Sequence, residues 1–310
     1  MKKLVIAVVA AAGIGAVLYV NYTATQEVKQ VVDQQIAALS EQSGVDIQYQ
    51  DISASVLNNS MQLSGLVVKS LADNKDIAQI DQVEVTGYEV DKVAPHTRFV
   101  MTNFRFSEAF LAQLPADANN KLAAASYDVN SALDYDKNSG NSDFALKVKA
   151  NEVADFSFNI GVAKSTALMD ASMAISKEQQ ALNGQALTLQ QQLQQQSKIM
   201  AAMSELEPRS VALGINNQGE LKQVITSLLQ AQGMTPEQFQ QTLAMQLQQA
   251  PVSEELATAL TNFAKGFESL SLSASLPEGQ TMMEINQQIM ALMAQPEELA
   301  KFINLKAKGE

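Results

Sequence analysis

Seventeen uncharged and mostly apolar residues, 4–20, lie between Met1-Lys2-Lys3 and a polar stretch that opens at Asn21. At about 1.5 Å rise per residue this run would reach roughly 25 Å as a helix, which predicts one membrane-crossing segment over residues 1–23. No small-residue cleavage pattern follows the apolar core, since Ala10-Ala11-Ala12 lies inside it. A retained anchor is therefore favoured over a cleaved signal. Lys2 and Lys3 precede the run, whereas Glu27, Lys29 and Asp33 follow it. That asymmetry predicts a cytoplasmic N-terminus and an exported body.

The three-and-four spacing of Val28, Val31, Val32, Gln35, Ile36 and Leu39 predicts an amphipathic helix that Gly44 ends. From Val45 the period drops to two. Val45, Ile47 and Tyr49 alternate with polar neighbours, followed by Met61, Leu63 and Gly65, by Val83 and Val85, and by Phe99 and Met101 with Phe104 and Phe106. Asn58-Asn59, Asp73-Asn74 and Pro95 punctuate these runs at intervals too short for helical crossovers, so they predict antiparallel strands. A second group reads as a three-stranded meander: Tyr127, Val129, Leu133 and Tyr135; Phe144, Leu146 and Val148; Phe156, Phe158, Ile160 and Val162. One of its faces is apolar, with Phe144, Leu146, Phe156, Phe158 and Ile160 as the candidate site, and Asp128, Asn130, Lys147 and Lys149 point the other way.

A helix is predicted over 177–205, where nine Gln fall in the eighteen positions 179–196 and Leu182, Ala186, Leu189, Leu193, Met200 and Met203 form a four-three stripe. Packing of this helix on its own sheet is favoured over a coiled-coil partner, because the repeat is short and lacks flanking charge. Beyond Pro208, Val211, Leu213 and Ile215 predict a strand, Leu221 to Leu229 a helical stripe stopped at Gly233, and Leu270, Leu272 and Ala274 a further strand. Thr235-Pro236-Glu237-Gln238, Ser253 and Thr281-Met282-Met283-Glu284 are helix N-terminal signals. The predicted class is α+β: an N-terminal transmembrane helix, then an extended antiparallel sheet covered by amphipathic helices, with a mainly β region over 24–176 and a helix-rich region over 177–310.

Charge removes several partners. With 21 Lys+Arg against 33 Asp+Glu the net charge is −12, which repels nucleic acid. Zero Cys and a single His leave no disulfide, no thiolate metal site and no two-histidine centre. His96, beside Pro95, reads as a surface turn residue without a neighbouring carboxylate. The acidic pairs Glu89/Asp91, Asp134/Asp136 and Glu254/Glu255 read as solvated faces, since none sits in a spaced oxygen-ligand loop. No enzyme, cofactor or metal is expected. Met282, Met283, Met290 and Met293 read first as core filling.

The chain resembles the YdgA-like and AsmA-like proteins of Gram-negative envelopes in three features: the single N-terminal apolar segment, the Gly44-Val45-Asp46-Ile47-Gln48-Tyr49 start of the sheet, and a hairpin over 53–68 around Leu57-Asn58-Asn59-Ser60. The strand over 269–275, Leu276-Pro277, and Pro296-Glu297-Glu298-Leu299 before Asn304-Leu305-Lys306 look like the closing module of YdgA-type proteins. The resemblance implies a single-pass inner-membrane protein with its body in the periplasm, of uncharacterised role or linked to envelope maintenance. It supplies no catalytic residue.

Two functions follow from these patterns. In one, the apolar sheet face shelters phospholipid acyl chains near the membrane. In the other, helices close over the sheet and the body is a structural module that meets another envelope protein. The two differ in whether Phe144, Phe156 and Phe158 line an open groove or a closed core.

Overall fold

The computed structural model describes residues 29, 32–33, 36–37, 40, 43–55, 59–87, 89, 92–112, 120–181 and 187–310. The proposed membrane segment over 4–20 lies outside the described residues. Among the described residues no helix is long and apolar enough to cross a membrane.

Alternation of apolar and polar side chains produces one eleven-stranded antiparallel sheet. Its strands are β1 (Val45–Gln48), β2 (Asp51–Ser55), β3 (Ser60–Ser70), β4 (Asp76–Thr86), β5 (His96–Phe106), β6 (Tyr127–Asp136), β7 (Asn141–Ala150), β8 (Ala154–Ala163), β9 (Glu207–Asn217), β10 (Ser269–Ser275) and β11 (Lys306–Gly309). From β3 to β11 the strands neighbour one another in chain order. Both β1 and β2 pair with β3, and Gln48↔Val67 and Asp51↔Ser64 share one register, so the pair is a single edge strand interrupted at Tyr49-Gln50. One helix, which Gly44 ends, precedes β1, and those that follow are insertions between strands. After β5 come α1 (Glu108–Leu111) and α2 (Asn120–Ala124), and after β8 come α3 (Thr166–Ala181) and α4 (Leu189–Ser204). After β9 come α5 (Leu221–Ala231), α6 (Pro236–Gln249) and α7 (Glu254–Gly266), and after β10 come α8 (Met282–Leu292) and α9 (Pro296–Phe302).

The predicted helix signals operate as read. Thr235 and Thr281 close reciprocal capping boxes with Gln238 and Glu284, and the Ser253 side chain accepts from Leu256 N–H. Gly44 ends the first helix with φ +71°, its N–H donating to Ser40 O at 3.0 Å. The helix predicted over 177–205 is instead two helices. Asn183-Gly184, poor helix formers, fall between α3 and α4, and Thr188 restarts the second with its own capping box. After α9 the chain ends on the short strand β11, paired with β10.

The largest core lies at the β1–β5 end of the sheet. Val32 and Ile36 of the first helix pack there with Val45, Ile47, Met61, Leu63, Leu66, Val68, Ile80, Val83, Met101, Phe104 and Phe110. Along β3 the buried positions step from Leu63 to Leu66, along β4 from Ile80 to Val83, and along β5 from Met101 to Phe104. A period of two would bury the wrong side beyond that line. Left-handed backbone at Gly65 (φ +60°) and Asn103 (φ +53°) shifts the phase, and the β5–β6 register slips between Met101 and Phe104. Both halves of each strand therefore feed one core. Asp81 anchors the kink, accepting from Asn103 Nδ2 at 2.5 Å and from Arg105 Nη1 at 3.0 Å.

Candidate functional site

From β6 to β10 the register stacks apolar residues in rows across the sheet. One row is Val129, Val148, Phe156, Ile215 and Leu270, the next is Ser131, Leu146, Phe158, Leu213 and Leu272, and a third is Leu133, Phe144, Ile160, Val211 and Ala274. Rows of the opposite face carry Asp128, Lys149, Asp155 and Asn216, then Asn130, Lys147, Ser157 and Ser271. This segregation is the predicted one. Phe144 and Phe158 rings meet at 6.4 Å with a 58° tilt.

Helices cover only part of the apolar face. Leu221 and Val224 of α5 pack on Ala150, Val153 and Ala154, with Tyr127, Ile215 and Phe263 against them. α7 lies directly on β11, where a Cβ on Gly309 would fall 1.9 Å from the Ala259 carbonyl oxygen. Between these helices and the β1–β5 core the floor stays open. Leu213 is 50% exposed and Phe156 38%, both large apolar side chains in mid-sheet. A groove of about 320 Å³ results, lined by Leu146, Val148, Phe156, Phe158, Leu213, Ile215, Leu270 and Leu272, with the backbone of Ser157 and Gly214 beneath. No charged side chain lines it.

Of the five sequence-predicted site residues, Leu146, Phe156 and Phe158 line this groove, while Phe144 and Ile160 share its face one row further along. Leu213, Ile215, Leu270 and Leu272 were legible as strand positions but not as site residues. What joins them to the meander is the β8–β9 pairing across the α3–α4 insertion, a contact that local alternation does not encode.

The polar candidates have structural roles. His96 begins β5, opposite Asp134, and its Nδ1 lies 2.6 Å from Asp134 Oδ1, so the expectation of no neighbouring carboxylate is corrected by strand register. Both side chains are exposed. Asp136 accepts from Asn138 N–H and Ser139 Oγ, which hold its carboxyl below the usual range, Ser139 foremost. Glu255 accepts from the Ala307 amide at 2.7 Å and ties α7 to β11. Glu89 pairs with Lys92 at 2.8 Å, while Asp91 lies outside the described residues. Among the described residues no group of three or more His, Asp or Glu could hold a metal ion.

At the other margin Lys29, Asp33 and Tyr49 tie the first helix to the interruption of the edge strand. Tyr49 OH donates to Asp33 Oδ1 and Lys29 Nζ donates to Asp33 Oδ2 at 3.0 Å. Burial acts to raise the Asp33 carboxyl, yet these two hydrogen bonds outweigh it and hold the group below its ordinary value.

A family model matches residues 147–310, which takes in every groove-lining residue except Leu146. The chain belongs to this family, described as an uncharacterized protein. That description carries no link to YdgA-like or AsmA-like proteins. No curated protein matches the chain.

Proposed function

We propose that the protein is a non-enzymatic, membrane-anchored lipid-handling protein whose open apolar trough shelters a phospholipid acyl chain. The observation that carries this reading is the mid-sheet floor of Phe156, Phe158, Leu213 and Leu272, apolar and left uncovered by the helices. An apolar patch of this kind on a soluble body marks a binding surface. A peptide lying there would bring backbone N–H and C=O groups that the floor cannot satisfy, because the sheet's own amides are spent on neighbouring strands. An acyl chain brings no such groups. Each methylene it buries contributes about 0.8 kcal/mol, so roughly ten methylenes gain about 8 kcal/mol before ordering costs. The apolar run over 4–20, with Lys2 and Lys3 before it, supports a single inner-membrane span with the body in the periplasm, which keeps the trough beside a lipid source.

The test is competition for a fluorescent fatty acid by phospholipid, using the full chain and its Phe158→Asp and Leu213→Asp variants. The reading predicts displaceable binding by the parent and at least tenfold weaker binding by both variants. Equal binding by all three chains would contradict it.

A further inference from the structure

The α4 stripe of Leu189, Leu193, Met200 and Met203 is exposed, which corrects the expectation that it packs on the chain's own sheet. Met282, Met283, Met290 and Met293 are exposed as well, so they do not fill the core. Neither surface says what would cover it. The outer edge of β1 says more, because its backbone groups have a direction and its groove a charge.

The Leu71 N–H donates to Gly44 O at 3.3 Å, and antiparallel pairing alternates along a strand. Asp46 and Gln48 therefore turn their backbone groups to β3, while Val45 and Ile47 turn theirs outward. Among the described residues no strand pairs with that side of β1. A groove of about 800 Å³ lies beside it. One wall is the first helix, presenting Lys29, Asp33, Ile36, Ala37 and Ser40 at three-and-four spacing, and the other is the strand from Asp46 to Ile52. Ser40 Oγ is buried there with no hydrogen-bond partner. Three carboxylates, of Asp33, Asp46 and Asp51, line the groove against one ammonium, of Lys29, which Asp33 already engages at 3.0 Å. Asp46 accepts from the neutral side-chain amide of Gln48 at 2.7 Å, so the groove keeps a net negative charge.

We propose that this groove binds a short basic segment of a partner protein, extended and added to β1 as a further strand. The outward N–H and C=O groups of Val45 and Ile47 can satisfy a peptide backbone, which the trough floor cannot. Alternation sets the pattern of the segment. Ile47 and Ile52 face the side of the first helix, with Ile36, so Asp46 and Asp51 stand on the opposite face. An added strand would place apolar side chains on the helix side and Lys or Arg beside the two carboxylates. An acidic segment would be repelled, and an acyl chain would leave the edge amides unpaired. β1 offers four residues before the Tyr49-Gln50 interruption, about 13 Å, which suits a segment of about four to six residues and not the long edge of a second sheet. Binding here is independent of what fills the trough.

The test is fluorescence anisotropy of a labelled hexapeptide of alternating Lys and Val, titrated with the full chain in mild detergent. The parent should bind it, and more weakly as salt rises. A hexapeptide N-methylated at alternate amides, which cannot donate to the edge, should bind at least tenfold more weakly, and one with Glu for Lys should not bind. Asp46→Asn/Asp51→Asn should weaken binding at least tenfold. Asp170→Asn/Glu278→Gln removes the same charge from α3 and the loop after β10, and should leave binding unchanged. No binding by the parent, equal binding of the N-methylated peptide, or equal weakening by the two double variants would overturn the proposal. The N-methyl comparison uses the parent chain alone, so it stands whether or not a variant folds.

Discussion

Tyr127 sits where the two cores of the sheet meet, packed against both, and its hydroxyl donates to the Leu122 carbonyl oxygen of α2. Burial pushes its pKa up to about 12, two units above that of a free phenol. The unfolded chain therefore loses this proton first as pH rises, and stability should fall between about pH 10 and 12 while staying flat below. Urea unfolding of Tyr127→Phe should show a shallower alkaline loss than the parent, together with about 1 kcal/mol lower stability at neutral pH from the missing hydrogen bond. An unchanged alkaline slope would contradict the burial of this ring. Asp33 acts with the opposite sign, since its lowered carboxyl adds stability at neutral pH that disappears as pH falls through its folded value.

Among elements, the strands divide into a covered half and an open half, and one substitution separates them. Leu63 of β3 is fully buried, whereas Leu213 of β9 is half exposed on the same sheet. Leu63→Ala should cost about 2–5 kcal/mol and Leu213→Ala about 0.5 kcal/mol or less in denaturant unfolding. Similar costs would mean the trough is closed. Alternation and capping made most elements legible: the meander from Tyr127 to Val162, the Thr235 and Thr281 boxes, and Gly44 all fall where the pattern puts them. The phase shift at Gly65 and Asn103 did not, because a left-handed residue resets alternation without altering composition. Nor did the exposure of the stripe on α4, whose spacing does not say whether anything in the same chain covers it. The trough's near half, Leu146, Phe156 and Phe158, was legible from local alternation, and its far half on β9 and β10 waited on long-range pairing.

For the whole molecule, a sheet of ten successive positions at about 4.8 Å spacing measures roughly 50 Å, too short to bridge two membranes alone. Its scale suits the proposed role of a body that shelters one acyl chain close to a bilayer. The covered β1–β5 end receives the helix that follows the proposed anchor, and Val32 and Ile36 bury there. The uncovered trough lies in the part of the chain that the family model matches.

The most direct measurement is photocrosslinking in intact cells with a photoreactive amino acid in place of Leu213, on the full chain, followed by mass analysis of the adduct. An adduct of phospholipid mass is expected at Leu213 and none when the same group replaces exposed Leu71 at the far end of the sheet. A protein-sized adduct at Leu213, or no adduct there at all, would contradict the trough as a lipid site.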